Sequence, residues 1–194
     1  TMLVANVSTV LYPQMASQAA RKDRQALTAV FQNAVAFYLL MVVPLSVGGF
    51  FLQKELVGLV FMRGAFQVDS VNTIAPLFAC YLAGLLFIAL RKAGANLFYS
   101  LGDSKTPMRN ALIGIAVNIV LNPVLAYFLG ALGLALATTA SNALISLLLL
   151  RSVRRRLPEI SYRKTWILAG KTALSAAGTF AALWLAGRVL TQRI

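Results

Sequence analysis

Five stretches of this chain run for about 20 residues with almost no charge, which is the length a helix needs to cross the roughly 30 Å hydrocarbon layer of a bilayer. They span approximately Ala34–Leu52, Val71–Leu90 with an extension to Tyr99, Ala111–Leu129, Ala131–Leu150 and Trp166–Leu185. In lipid a backbone N–H or C=O has no water to bind, so continuous runs of this kind are stable as helices that satisfy their own backbones. The expected fold is an all-α integral membrane protein, a bundle of five full transmembrane helices plus the end of a sixth. That sixth segment, Thr1–Met15, reads as a helix whose start lies upstream. The opening Thr1-Met2-Leu3-Val4 carries no basic leader, so the sequence is expected to be a fragment of a longer membrane protein.

Composition agrees with this reading. Hydrophobic residues make up 59% of the chain and charged ones 12%, against about 25% charged in a soluble domain. The 18 Lys and Arg outnumber five acidic residues, giving +13. Most of the excess lies in three loops: Arg21, Lys22 and Arg24; Lys105 and Arg109; and Arg151, Arg154, Arg155, Arg156, Arg163 and Lys164. These clusters fall on alternate crossings and therefore share one face, which the positive-inside rule makes cytoplasmic. The opposite loops hold only Lys54 and Arg63, then Arg188 and Arg193, with no charge in the Gly130–Gly133 turn. The charge is thus topology, and no nucleic-acid partner is expected. Histidine is absent and Cys80 is the single cysteine, which removes His-based acid–base chemistry, His-bearing metal sites and an internal disulfide. No catalytic residue and no firm metal site is expected.

The polar residues near the hydrocarbon layer are few. All five acidic residues, Asp23, Glu55, Asp69, Asp103 and Glu159, fall in loops or at span ends, so the chain lacks the intramembrane carboxylate of a proton relay. Arg91 and Lys92 admit two readings. Either the helix ends there and both cations snorkel to the headgroups, or it continues through Ala93–Tyr99 and they face a water-filled cavity that admits an anion. Asn118 and Asn122 share a helix face, Pro123 frees a carbonyl beside them, and Thr138 in the next helix reaches a similar depth. Such oxygens suit Na⁺, while hydrogen bonding between helices is the competing reading. Pro44 and Pro123 are expected to bend their helices, as is Pro76 near a span start. Gly84, Gly94 and Gly133–Ala140 are expected to mark close helix contacts.

Several motifs add a family resemblance. Val10-Leu11-Tyr12-Pro13-Gln14-Met15 precedes the basic Arg21-Lys22-Asp23-Arg24 loop, and Val60-Phe61-Met62-Arg63-Gly64-Ala65-Phe66 forms an outer loop. Lys92 is followed by Phe98-Tyr99-Ser100-Leu101-Gly102-Asp103-Ser104-Lys105-Thr106-Pro107, and later comes Gly133-Leu134-Ala135-Leu136-Ala137-Thr138. In this order and spacing the set, with Arg63, Gly64, Ala65, Phe66, Asp103, Thr106 and Pro107 as its motif residues, resembles the MviN/MurJ-type lipid II flippases. These belong to the multidrug/oligosaccharidyl-lipid/polysaccharide exporter superfamily.

The resemblance implies one lobe of a two-lobed inverted-V transporter, with residues 1–165 as the end of helix eight and helices nine to twelve of a C-terminal lobe. Residues 166–194 would be helix thirteen, and the N-terminal lobe of the same protein would be absent. It further implies a non-enzymatic, alternating-access flippase in the bacterial cytoplasmic (inner) membrane, without a cofactor. Its substrate would be lipid II, the undecaprenyl-diphosphate-linked disaccharide peptide. Lys92, with Arg91 beside it, would meet the diphosphate in a central cavity, which favours the cavity reading. Asn118, Asn122 and Thr138 match positions of a sodium site in which the second is often Asp, so a coupling ion would find no carboxylate here. Besides membrane lipids no other partner is implied. The alternatives are a polysaccharide-lipid (O-antigen-type) flippase or drug/cation antiporter of the same superfamily, and a non-transporting membrane scaffold.

Overall fold

The apolar runs become helices longer than themselves. A computed structural model describes residues 2–61, 68–160, 167 and 169–180. Its helices are α1 (Met2–Ala20), α2 (Arg24–Phe51), α3 (Gln53–Phe61), α4 (Val68–Ser100), α5 (Lys105–Leu129) and α6 (Ala131–Arg156), and residues 169–180 are also helical. Among the described residues four helices are long and apolar enough to cross a membrane: α2, α4 over Val71–Ser100, α5 and α6. These match four of the five expected crossings. The fifth, Trp166–Leu185, falls only in part within the described residues, as does the 166–194 unit.

The extra length comes from polar ends. Asp23 accepts a hydrogen bond from the Ala26 N–H at 3.0 Å and so starts α2 well before Ala34. At the far end of α6, Arg154, Arg155 and Arg156 occupy the last turn, where cations meet the negative end of the helix dipole. The short α3 stands where the sequence suggested only loop. Pro13, Pro44, Pro76 and Pro123 all lie inside helices that continue past them.

α4 is the hub, packing against α1, α2, α3 and α6. Around it lie the buried Phe31, Tyr38 and Leu39 of α2, Ala93 and Leu97 of α4, and Leu149 and Val153 of α6. Lipid gives apolar surface no incentive to leave it, so these helices associate through close packing and interhelical hydrogen bonds. Gly84 stands against Thr139 and Gly94 against Leu149 between α4 and α6, as expected, and Gly49 against Leu82 between α2 and α4. Two hydroxyls tie the same faces: Thr139 Oγ1 donates to the Cys80 carbonyl at 3.0 Å and Ser46 Oγ to the Leu82 carbonyl at 3.0 Å.

α5 and α6 form a hairpin. Gly130 turns the chain at φ +57°, and Gly133 comes so close to the Leu125 carbonyl of α5 that any side chain would collide with backbone. Deeper in the membrane Gly114 of α5 accommodates Ile145 of α6. α5 makes little contact with α4 and reaches the bundle through α6.

The basic loops gather at one end of the bundle. Lys22, Asp23 and Arg24 share a cleft with Leu101, just past α4, while Arg155 and Arg156 of α6 share another with Asp103 and Arg109. The loop clusters assigned to one face by charge are thus neighbours in space, as far as the described residues reach.

Candidate functional site

α4 does not stop at Leu90. It continues eight residues past Lys92 to Ser100, so Lys92 stands about 12 Å along the axis from the helix end. Of the two readings, the one in which the helix continues describes the backbone. Lys92 is exposed and Arg91 half-buried, whereas the adjacent Ala93 is fully buried. At about 100° per residue, Tyr81, Ile88, Lys92 and Tyr99 fall within about 40° of one line, a stripe exposed at Tyr81, Lys92 and Tyr99 and half-buried at Ile88. Tyr81 and Tyr99 are 49% and 46% exposed, so an apolar, aromatic strip carries a single ammonium along it. A cation on such a strip either faces water or meets an anion, because lipid solvates it poorly.

The α5–α6 hairpin holds the polar set. Asn122 Nδ2 donates to Asn118 Oδ1 at 2.9 Å, and Asn118 Nδ2 donates to Ser141 Oγ of α6 at 3.2 Å. The pairing of the two asparagines follows from their spacing. Thr138 does not join them by hydrogen bond: its Oγ1 donates to the Leu134 carbonyl of its own helix at 2.9 Å, and its carbonyl accepts from Asn142 Nδ2 at 3.0 Å. Ser141, one turn further along α6, is the partner the sequence reading missed. Only the rotation of α6 against α5 reveals it, since a serine in Thr-Thr-Ala-Ser-Asn has no spacing that singles it out. Asn122 Oδ1 is buried and accepts no hydrogen bond. A buried acceptor without a partner costs about 1–3 kcal/mol, which a bound cation would relieve. The residues therefore fit a weakly held monovalent cation, although every oxygen is neutral and no carboxylate of the described residues joins them.

The Asp103–Pro107 motif builds the turn from α4 into α5. Gly102 at φ +73° ends α4, with the Asp103 N–H bonding back to the Phe98 carbonyl at 2.9 Å. Asp103, one residue before the cap position Ser104, then holds the first turn of α5, accepting from Thr106 N–H at 3.0 Å and Thr106 Oγ1 at 2.7 Å. The Thr106 hydroxyl and N–H hold the Asp103 carboxyl below its ordinary pKa, aided by the Lys105 backbone and the positive field of Arg156. Pro107 is buried in the first turn of α5, where a missing N–H donor is harmless. Arg63, Gly64, Ala65 and Phe66 lie outside the described residues.

Comparison with known proteins places these elements among relatives. Residues 1–193 match a family model described as lipid II flippase MurJ. The "Probable lipid II flippase MurJ" of Vibrio cholerae is 34% identical over 183 residues, covering 92% of this chain and 34% of the relative. The counterpart in Haemophilus influenzae is 32% identical over 184 residues, covering 92% and 36%. The chain thus spans about a third of the length of these curated relatives. A solved structure, "Lipid II flippase MurJ, inward closed conformation", superposes with a TM-score of 0.70 at 21% identity, covering 94% of this chain and 43% of that one. At that identity the likeness concerns the fold.

Proposed function

The chain belongs to the lipid II flippase MurJ family, and from that premise we propose that it forms the C-terminal lobe of an alternating-access flippase for a lipid-linked peptidoglycan precursor in the bacterial inner membrane. The end carrying Arg21–Arg24, Arg109 and Arg154–Arg156 would face the cytoplasm. The N-terminal lobe of the same protein would close the other side of a cavity onto α4.

The observation that carries this reading is the position of Lys92, exposed and about 12 Å from the end of a helix that continues beyond it. A diphosphate entering between the lobes from the basic side would meet Lys92, with Arg91 adding charge from the same helix. Charge-assisted hydrogen bonds to phosphate oxygens are roughly twice as strong as neutral ones, and strongest where water is excluded. The undecaprenyl tail would stay in lipid, and rocking of the lobes, eased at Pro44 and Pro123, would carry the headgroup across. Moving one net charge through the field is worth about 2.3 kcal/mol per 100 mV, enough to bias such a cycle.

Asn118, Asn122 and Thr138 would hold a sodium ion, with the partnerless Asn122 Oδ1 as the oxygen best placed to accept it. Without a carboxylate the ion would be weakly held and the cycle less dependent on it.

The test is lipid II translocation in cells depleted of their own flippase and supplied with the gene carrying this sequence, wild type or Lys92→Ala. The wild type should restore translocation and the alanine variant should not. Failure of the wild type removes the substrate assignment, and full rescue by Lys92→Ala removes the role of Lys92.

A further inference from the structure

We propose that the cleft between the α4–α5 turn and the end of α6 binds a phosphate group, supplied by a membrane phospholipid headgroup. This site shares no residue with the Lys92 strip and does not depend on how that strip is read.

The cleft has a volume of about 450 Å³, and Arg109 and Asn110 of α5 line it together with Arg155 and Arg156 of α6. Three guanidinium groups face one carboxylate, and both oxygens of that carboxylate, Asp103, are already engaged by Thr106. Among the described residues no carboxylate pairs with Arg109 or Arg155. The site therefore keeps a net positive charge that its own structure leaves unanswered.

A second observation is independent of the arginines. Asn110 is only 9% exposed, and its Nδ2 has no hydrogen-bond partner. A buried amide donor is normally satisfied, so this one, in the wall of a cationic cleft, calls for an acceptor. Phosphate has the right chemistry, since its several acceptor oxygens engage two guanidinium groups on different helices and the amide together.

The surroundings favour a lipid as the source. The cleft opens at the end of the spanning helices, the depth of headgroups. Ile113, 48% exposed, forms its apolar edge, and the same face of α5 continues through Val120 and Val124, which are 63% and 48% exposed. An acyl chain would lie along that face while its phosphodiester sits in the cleft.

The test is a native mass spectrometry titration of the full 194-residue chain in neutral detergent and phosphate-free buffer. The probes are short-chain phosphatidylglycerol, the matching diacylglycerol and inorganic phosphate. Saturable binding of one phosphatidylglycerol is expected, with none of diacylglycerol. Arg109→Ala/Arg155→Ala should weaken binding at least about tenfold. Arg151→Ala/Arg154→Ala removes equal charge from α6 outside the cleft and should leave binding within about twofold. Asn110→Leu should fold without loss of thermal stability yet bind more weakly. Equal weakening in both double variants would mean diffuse attraction and overturn the site. Inorganic phosphate binding as tightly as phosphatidylglycerol would overturn the lipid as source, and binding of diacylglycerol would overturn the phosphate chemistry.

Discussion

Asn122 Nδ2 donates to Asn118 Oδ1 at 2.9 Å across one turn of α5, and through Asn118 the pair is tied to Ser141 of α6. One acceptor, Asn122 Oδ1, is left over. Replacing Asn122 with Asp puts a full charge at that position. Na⁺ should then raise the thermal midpoint of Asn122→Asp well above its value in K⁺, with a smaller difference in the wild type. Identical midpoints in the two salts for both proteins would remove the cation from the account.

The link between α5 and α6 can be probed without any ion. Asn118→Leu deletes the bond to Ser141 and leaves both Ser141 Oγ and Asn122 without their present partner. Interhelical hydrogen bonds in membranes are worth about 0.6 kcal/mol on average and up to about 1.7. Unfolding in mixed micelles should show a loss in that range, and Thr139→Val, which deletes the bond to the Cys80 carbonyl, a loss near its lower end.

Asp103 supports the start of α5 only while ionised. Its pKa is lowered in the fold, so its contribution is complete above the ordinary aspartate value of about 3.9 and is lost as pH falls through the lower folded value. Asp103→Ala should cost about 1 kcal/mol at neutral pH, as for a lost N-cap. The difference from wild type should vanish in acid. A gap that persists after the folded carboxyl has been titrated would show that the carboxylate charge is not what holds the start of the helix.

Gly133 allows no substitute. Its Cβ would meet the Leu125 carbonyl and the Ala126 nitrogen, and backbone cannot step aside as a side chain does. Gly133→Ala should separate the ends of α5 and α6 and destabilise the chain by about 2 kcal/mol or more. Gly58→Ala, where a methyl group meets open space, is the control and should be neutral or slightly stabilising.

The environment of Lys92 has a direct readout. In a Cys80→Ala background, a membrane-impermeant thiol reagent should label Lys92→Cys and leave Ala93→Cys unlabelled, because Lys92 is exposed and Ala93 buried. No labelling of Lys92→Cys from either side in membranes carrying the intact protein would mean that lipid, rather than water, covers the strip.

Bilayer thickness is why so much of the fold was legible in sequence. Ala34–Leu52, Ala111–Leu129 and Ala131–Leu150 each lie almost wholly within one observed helix, because the hydrocarbon layer imposes one length on all of them. Counting apolar residues is blind to what lies outside that layer. It missed the Asp23 cap eleven residues before Ala34, the arginine turn that closes α6, and α3, whose nine residues include Lys54 and Glu55. At the candidate sites, Asn118 with Asn122 was legible because both lie on one helix, where spacing fixes direction. Ser141 was not legible, because which polar side chain of α6 meets Asn118 depends on how α6 is rotated, and that is set by the contacts at Gly133 and between Gly114 and Ile145. The depth of Lys92 needed the true end of α4, which the sequence left open between Leu90 and Tyr99.

The uncharged turn between α5 and α6 bears on biogenesis. Emerging from the ribosome, α5 presents Asn118 and Asn122 to a membrane that penalises both, and α6 follows within a few residues, carrying Ser141. Nothing in Gly130–Gly133 is charged, so no costly group has to be dragged across with the loop. The two helices are thus suited to enter lipid as a preassembled pair, their polar groups already shielding one another, before α6 docks on α4.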